Sequence, residues 1–211
     1  VINDSPSNYG YVWSTGEDTA TIEVDAPGIY TVRVSNTDGC FKDRTITVLP
    51  SNIATVTAIE IVDASQNNSI SVFVTGEGDY EYALDDINGP YQDSTIFENV
   101  QPGFYTVFVR DKNNCGTIEN LVSVIGFPKF FTPNDDDTND FWQVSGINNQ
   151  FQSNSSILIF DRYGKLLKKL DPLGPGWDGI YNGAKLPTSD YWFKVKLQDG
   201  RTFTSHITLK R

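Results

Sequence analysis

The segment PGIYTVRVSNTDGC, Pro27 to Cys40, recurs as PGFYTVFVRDKNNC, Pro102 to Cys115, with unchanged internal spacing and a repeat distance of 75 residues. In each copy a Pro-Gly turn leads into alternating residues. Tyr30, Val32 and Val34 fall on one side, with Thr31 and Arg33 on the other, and Tyr105, Val107 and Val109 repeat the pattern. A period of two makes a strand with one apolar face. An Asn/Asp-rich turn follows, and a further strand over 45–49 or 121–125 closes a hairpin in each copy. The repeat distance is too long for a solenoid unit and fits a small sandwich.

Ahead of the second copy the sequence predicts strands over 56–62, 69–75, 80–84 and 94–97, a full set for one module. Only 26 residues precede Pro27, enough for YVWSTG and one more strand. The expected organisation is therefore a partial module over 1–50, whose sequence starts inside the unit, a complete module over 51–125 and a different unit over 126–211. The duplicated hairpin resembles the last hairpin of an immunoglobulin-like domain. An incomplete sandwich leaves one sheet face uncovered.

Charge marks the second boundary. Residues 1–125 carry 5 Lys/Arg and 18 Asp/Glu, a balance of −13, whereas residues 126–211 carry 11 Lys/Arg and 9 Asp/Glu, a balance of +2, with no Glu. Thirteen Phe, ten Tyr and four Trp, with frequent Val, Ile and Thr, favour sheet. Gly, Pro, Asn and Ser interrupt the apolar runs at short intervals, and no window keeps a helical period, so the fold class expected is all-β.

A net charge of −11 excludes nucleic acid as a partner, because nothing would compensate phosphate. No apolar run is long enough for a transmembrane helix, and an acidic β surface suits a secreted or surface-exposed protein. With no starting Met and no signal peptide, the sequence is expected to be an excised piece of a longer chain. His206 is the only histidine, and no nucleophile or paired acid and base accompanies it, so no enzyme activity is expected. Cys40 and Cys115 occupy equivalent points of different modules and are not expected to pair with each other.

Two acidic stretches are candidates for ligands. In GEGDYEYALDD, 76–86, Tyr80 and Tyr82 alternate with Glu81 as in a half-buried strand, so the carboxylates are expected on a solvated face. In NDDDTND, 134–140, the side chains of Asn134, Asp136, Asn139 and Asp140 can converge on calcium, the one candidate cofactor. A surface loop of Asx turns with no ion uses the same residues.

In the terminal unit Phe127, Phe130 and Phe131 are bracketed by Pro128 and Pro133, a stiff extended segment. Phe141, Trp142 and Val144 are expected to begin a strand. SILIFDRYGKLLKKL, 156–170, is a hairpin turning at Arg162-Tyr163-Gly164, apolar on both strands and hence expected at the centre of its sheet. Trp177 and Tyr181 are expected in the core.

The last hairpin can be registered by pattern. Tyr191, Phe193, Val195 and Leu197 share one face, as do Phe203, Ile207 and Leu209. A three-residue loop, Gln198-Asp199-Gly200, pairs Val195 with Phe203 and aligns the two sets, whereas a two-residue loop sets them on opposite faces. The reverse face then presents Trp192, Lys194 and Lys196 to a partner.

FPKFFTPNDDDTNDFW, IFDRYGKLLKKL, GWDGIYNGAKLPTSDYWF and the final HITLKR resemble the type B C-terminal sorting domain of the type IX secretion system, also called the gliding motility-associated C-terminal domain. It is found in SprB-like cell-surface adhesins. The resemblance covers 127–211, and the modules ahead of it resemble the immunoglobulin-like repeats that often precede this domain. Where the family's loop usually reads NGDGxND, this chain has Asp135 and Asp137 at the glycine positions.

The resemblance implies a β-sandwich sorting domain that addresses the protein to the type IX translocon. It implies recognition by a PorP/SprF-like outer-membrane β-barrel partner and residence at the cell surface, with a role in gliding or adhesion. Partner contacts are expected from Phe127, Phe130, Phe131, Tyr191, Trp192, Phe193, Lys194, His206, Leu209, Lys210 and Arg211. A calcium- or carbohydrate-binding adhesin module is the alternative, on the acidic loops.

Overall fold

The computed structural model describes residues 9–211, so the first eight residues of the expected partial module lie outside the described residues. Every regular element among the described residues is a strand, and the chain is all-β.

The duplicated hairpin folds alike in both copies. Strands β1 (Tyr9–Trp13), β2 (Gly28–Asn36) and β3 (Phe41–Val48) form a sheet ordered β1-β2-β3. In the second copy β4 (Thr55–Val62), β5 (Ser69–Thr75), β6 (Tyr80–Leu84), β7 (Ile96–Glu98), β8 (Gly103–Asp111) and β9 (Thr117–Val124) make two sheets, β4-β5-β7 and β6-β8-β9. Ile70 and Val72 from the first sheet and Tyr82, Val107, Val109, Val122 and Val124 from the second share one buried cluster. This is the immunoglobulin-like sandwich of two facing sheets. In 9–50 only the counterpart of β6-β8-β9 is present, and Val32 is the one buried apolar residue among the described residues there.

The polar end of the repeat has a structural reason that its composition hid. Asn36 Oδ1 accepts from the N–H of Asp38 at 3.1 Å and of Cys40 at 2.8 Å. Asp111 repeats this, its Oδ2 accepting from Asn113 N–H at 3.0 Å and Cys115 N–H at 3.2 Å. Each hairpin thus turns on an Asx side chain. The cysteines follow that turn, free and exposed. Strands β3 and β9 begin four residues earlier than their apolar runs imply. In β3 the reason is a cross-strand Arg33–Asp43 pair at 2.8 Å on the polar face. The acidic stretch 76–86 is likewise paired with cations, Glu81 meeting Arg110 at 2.6 Å and Asp79 meeting Lys112 at 3.1 Å.

The terminal unit is one five-stranded sheet and its cover. Strands β10 (Phe130–Phe131), β11 (Ser156–Phe160), β12 (Leu166–Leu170), β15 (Ser189–Lys196) and β16 (Thr202–Leu209) are ordered β10-β16-β15-β11-β12. Strands β13 (Ile180–Tyr181) and β14 (Ala184–Lys185) form a small hairpin beside it. Ile157, Ile159, Tyr191, Phe193, Val195, Ile207 and Leu209 project from one face into a core closed by Trp142, Val144 and Trp177. Phe131 stacks at 5.4 Å from Trp177, Trp142 at 5.0 Å from Phe193, and Trp177 meets Tyr191 edge-on at 5.1 Å. Each such pair adds about 0.5–1.5 kcal/mol beyond burial.

The last hairpin has the register expected from its pattern. Val195 pairs with Phe203, Leu197 N–H donates to Arg201 C=O at 2.9 Å, and Gln198-Asp199-Gly200 form the loop.

Three expectations for this unit are corrected. No strand starts at Phe141. Trp142 instead makes an isolated bridge to Trp177, and the Asn- and Ser-rich chain after it stays irregular. The hairpin of 156–170 is not central as a whole, because β12 is the sheet's edge. Lys168 and Lys169 on β12 and a bulge at Ile159/Phe160 are devices that guard an edge. Tyr181 is only half-buried, with Lys165 Nζ 5.0 Å from its ring centroid.

The two larger units are tied at their junction. Gly126 and Ser145 exchange backbone hydrogen bonds of 3.2 and 2.9 Å, and Ser123 Oγ donates to Gly146 C=O. Gly146 has φ +82°, and a Cβ there would lie 2.5 Å from Val124 O, so the crossing admits no side chain. Asp63, 3% exposed at its side chain, accepts from Ile125 N–H at 3.1 Å and pairs with Arg201.

Candidate recognition surface

The partner residues expected from sequence divide by strand parity. Phe131, Tyr191, Phe193 and Leu209 are buried in the core and offer no surface, a correction to their expected contact role. They lie on the inward side of strands whose alternate residues face out. Burial pushes the Tyr191 hydroxyl up, while the guanidinium groups of Arg162 and Arg211 pull it down by less, leaving it raised. Arg211 is exposed at the end of the chain. Its Nε donates to Leu186 C=O at 3.0 Å, Nη1 to Pro133 C=O at 3.2 Å and Nη2 to Gly179 C=O at 3.3 Å, so it clasps three loops of its own unit.

The remaining residues come together on the outer face. On β15 the exposed side chains are Asp190, Trp192, Lys194 and Lys196, with Trp192 at 42%. Cross-strand register sets Trp192 between Phe160 of β11 and His206 of β16, and Lys194 between Leu158 and Thr204. Phe130 of β10, 43% exposed, pairs with Thr208, and Lys210 Nζ lies 4.3 Å from its ring centroid. Thr208 Oγ1 donates to Asp190 Oδ1 at 2.7 Å on the same face. The result is an apolar and aromatic strip bordered by ammonium groups, in a unit of slight positive balance.

Phe127 stands apart, half-buried with its ring 4.9 Å from Phe193 and 5.1 Å from Phe203. Leu158, Phe160 and Lys169 belong to the outer face and were not singled out in the sequence. Their signal was available only through the β11–β15 register, which links two hairpins distant in sequence.

The carboxylates of Asp136 and Asp140 accept hydrogen bonds from within the acidic loop. Asp140 Oδ1 accepts from Asn134 N–H at 2.9 Å and Asp135 N–H at 2.8 Å, and its Oδ2 accepts from Asp137 N–H at 2.8 Å. Asp136 accepts from Asn134 Nδ2 and Thr138 N–H, while Asn139 contributes its backbone carbonyl to Thr132 N–H. Burial pushes the Asp140 carboxyl up, but the N–H groups of Asp135, Asn134, Asp137 and Asp136 outweigh it and hold the group below its ordinary value. Asn134, Asp136 and Asp140 therefore meet as a network of Asx turns, and the Asn139 side chain takes no part. Among the described residues no cluster of three or more His, Cys, Asp or Glu is arranged to hold a metal. Asp135 and Asp137 take φ of 65° and 61°, so the left-handed backbone is kept without glycine.

Residues 125–209 match the family model of the CHU_C Type IX secretion signal domain, so this segment carries that signal. No curated protein matches the chain. Among solved structures, the chain is similar to Sidekick-1 immunoglobulin domains 1–5, at 11% identity and TM-score 0.31, over 97% of this chain and 52% of that one. The chain thus spans about half the length of that structure. Three N-terminal domains of the bacteriophage RB49 Hoc capsid protein align at 13% identity and TM-score 0.33, over 100% and 90% of the two chains. Chicken CNTN1 FN1–FN3 domains align at 12% and 0.29, over 97% and 90%.

A type IX secretion signal marks a protein for secretion and for association with the cell surface or outer membrane. Among the described residues no helix is long and apolar enough to cross a membrane.

Proposed function

We propose that the terminal unit is read at the outer membrane by a PorP/SprF-like β-barrel protein acting with the type IX translocon. In this reading the chain is then held outside the cell as the base of an adhesin, moved during gliding, with the acidic repeats projecting outward. In this reading it serves as an address and a spacer. The observation that carries the reading is the secretion-signal match over 125–209.

The outer face supports it physically. A sheet with one face buried needs no tryptophan on the other, yet Trp192, Phe130 and Phe160 lie there among Lys194, Lys196 and Lys210. Aromatic anchors rimmed by cations suit a protein docking patch.

The experiment is co-purification of the barrel with the full chain carrying Trp192→Ala and Lys194→Ala, alongside a chain lacking residues 202–211. Both substitutions point to solvent, so the variant is expected to melt like wild type while capture falls at least about tenfold, as for loss of an interface anchor. Undiminished secretion and capture in both chains would refute the reading.

A further inference from the structure

The sheet of the terminal unit has two edges, and only one is guarded. Strand β12 carries Lys168 and Lys169 and a bulge beside it, the usual protection against unwanted pairing. Strand β16 reads TFTSHITL, without charge or proline, and its outer edge is covered only at its end. There Thr208 N–H donates to Lys129 C=O and Lys210 N–H to Phe131 C=O, each at 3.0 Å.

Parity then fixes the rest of the strand. Arg201 C=O accepts from Leu197 N–H at 2.9 Å, so odd residues face β15 and even residues face outward. Among the described residues no strand pairs the outward N–H and C=O groups of Thr202, Thr204 and His206. The paired length of β10 is only Phe130–Phe131, so its ladder ends before it reaches these residues.

This open edge runs along a cleft of about 720 Å³ between the two larger units. Ala64, Asn68 and Pro102 line it on one side, and Phe127, Lys129 and residues 203–206 on the other. Its volume lies in the range of ligand sites, about 300–1,000 Å³.

We infer that the cleft receives one extended segment of a partner polypeptide, which adds as a strand to β16 alongside Thr202–His206. Backbone groups supply affinity, as in other strand additions. Side chains alternate, so the segment is apolar where it meets Phe127 and Phe203 and uncharged or acidic where it passes Lys129. Ala64, Asn68 and Pro102 face the open edge as the opposite wall, which a second copy of this chain would have to pass with its own sheet, so the occupant is taken as one extended segment. The inference rests on the export reading for where the partner resides, namely the outer membrane.

The test compares capture of the full chain by outer membranes of a bacterium with a type IX secretion system, as wild type, Thr202→Pro and Thr204→Pro. Far-UV circular dichroism and melting check folding. Neither N–H is used within the sheet, and proline is tolerated at such edge positions. Capture is expected to fall about tenfold for each, through a lost backbone pair and a ring in the strand's path.

Wild-type capture of both proline variants, with a chain ending at residue 124 left uncaptured, overturns the strand addition and leaves the export reading standing. Capture of the shortened chain overturns the export reading instead. Amide exchange covers a variant that fails to fold. Slowed exchange at Thr202, Thr204 and His206 of the membrane-bound wild-type chain supports the inference, and unchanged exchange contradicts it. Slowing that tracks chain concentration without membrane assigns the edge to a second copy and contradicts it as well.

Discussion

Replacing Asp63 by Ala should loosen the junction between the repeat and the terminal unit. Asp63 is 3% exposed at its side chain and is the shared acceptor for Ile125 N–H and the Arg201 guanidinium. Stranding one partner of a fully buried pair costs about 3–5 kcal/mol. Arg201 is 42% exposed and keeps Asp199 at 2.8 Å, so solvent and that second carboxylate reduce its share to about 1 kcal/mol. The orphaned Ile125 N–H adds about 1–3 kcal/mol.

The sum is about 2–4 kcal/mol, or roughly 4–16 °C in Tm for a chain of this length. Trp142, Trp177 and Trp192 lie in the terminal unit and none lies in 51–125, so in a Trp13→Phe background tryptophan fluorescence follows one side of the junction while far-UV dichroism follows both. In Asp63→Ala the two melting curves are expected to separate. A cycle with Arg201→Ala should give a coupling of about 1 kcal/mol or more. A loss under about 0.5 kcal/mol, or full additivity, would refute the assignment of Asp63 as the junction's anchor.

The remaining predictions concern the terminal unit. Asp140→Asn should lower the melting temperature at pH 7. The folded carboxyl sits below its ordinary value, so its stabilising contribution is present above the unfolded pKa and fades as pH falls through the folded one. Melts from pH 7 down to about pH 2 should therefore show wild type and variant converging in acid, and a constant gap would contradict this. Trp177→Ala empties the centre of the aromatic cluster and should cost about 3–5 kcal/mol in chemical denaturation. Asp135→Gly with Asp137→Gly relieves two left-handed residues and should raise stability by no more than about 1 kcal/mol, because glycine also gains freedom in the unfolded chain. Calcium is expected to leave the melting of wild type unchanged, and a calcium-dependent rise abolished by Asp136→Ala would restore the ion-binding alternative.

Much of the fold was legible because strands betray themselves by alternation. The Tyr-x-Val-x-Val repeat and the parity of 191–197 against 203–209 led to the right faces and to the right loop. The acidic loop was legible as a cluster but not as a network, because sequence does not show that Asp140 spends both oxygens on backbone N–H groups. Contact residues were read too generously. Tyr191, Phe193 and Leu209 were chosen for being aromatic or terminal, although the alternation used for the hairpin already sends them inward, whereas the burial of Phe131 follows only from the pairing of β10 with β16. The placement of β12 at the edge and of Phe160 beside Trp192 depends on pairing between hairpins, and only long-range register decides that.

The most direct measurement of the central claim is delivery of a passenger protein. Joined ahead of the full chain in a bacterium with a type IX secretion system, the passenger should appear on the cell exterior, and it should remain inside when the chain stops at residue 124. Equal surface delivery with and without residues 125–211 would contradict the account.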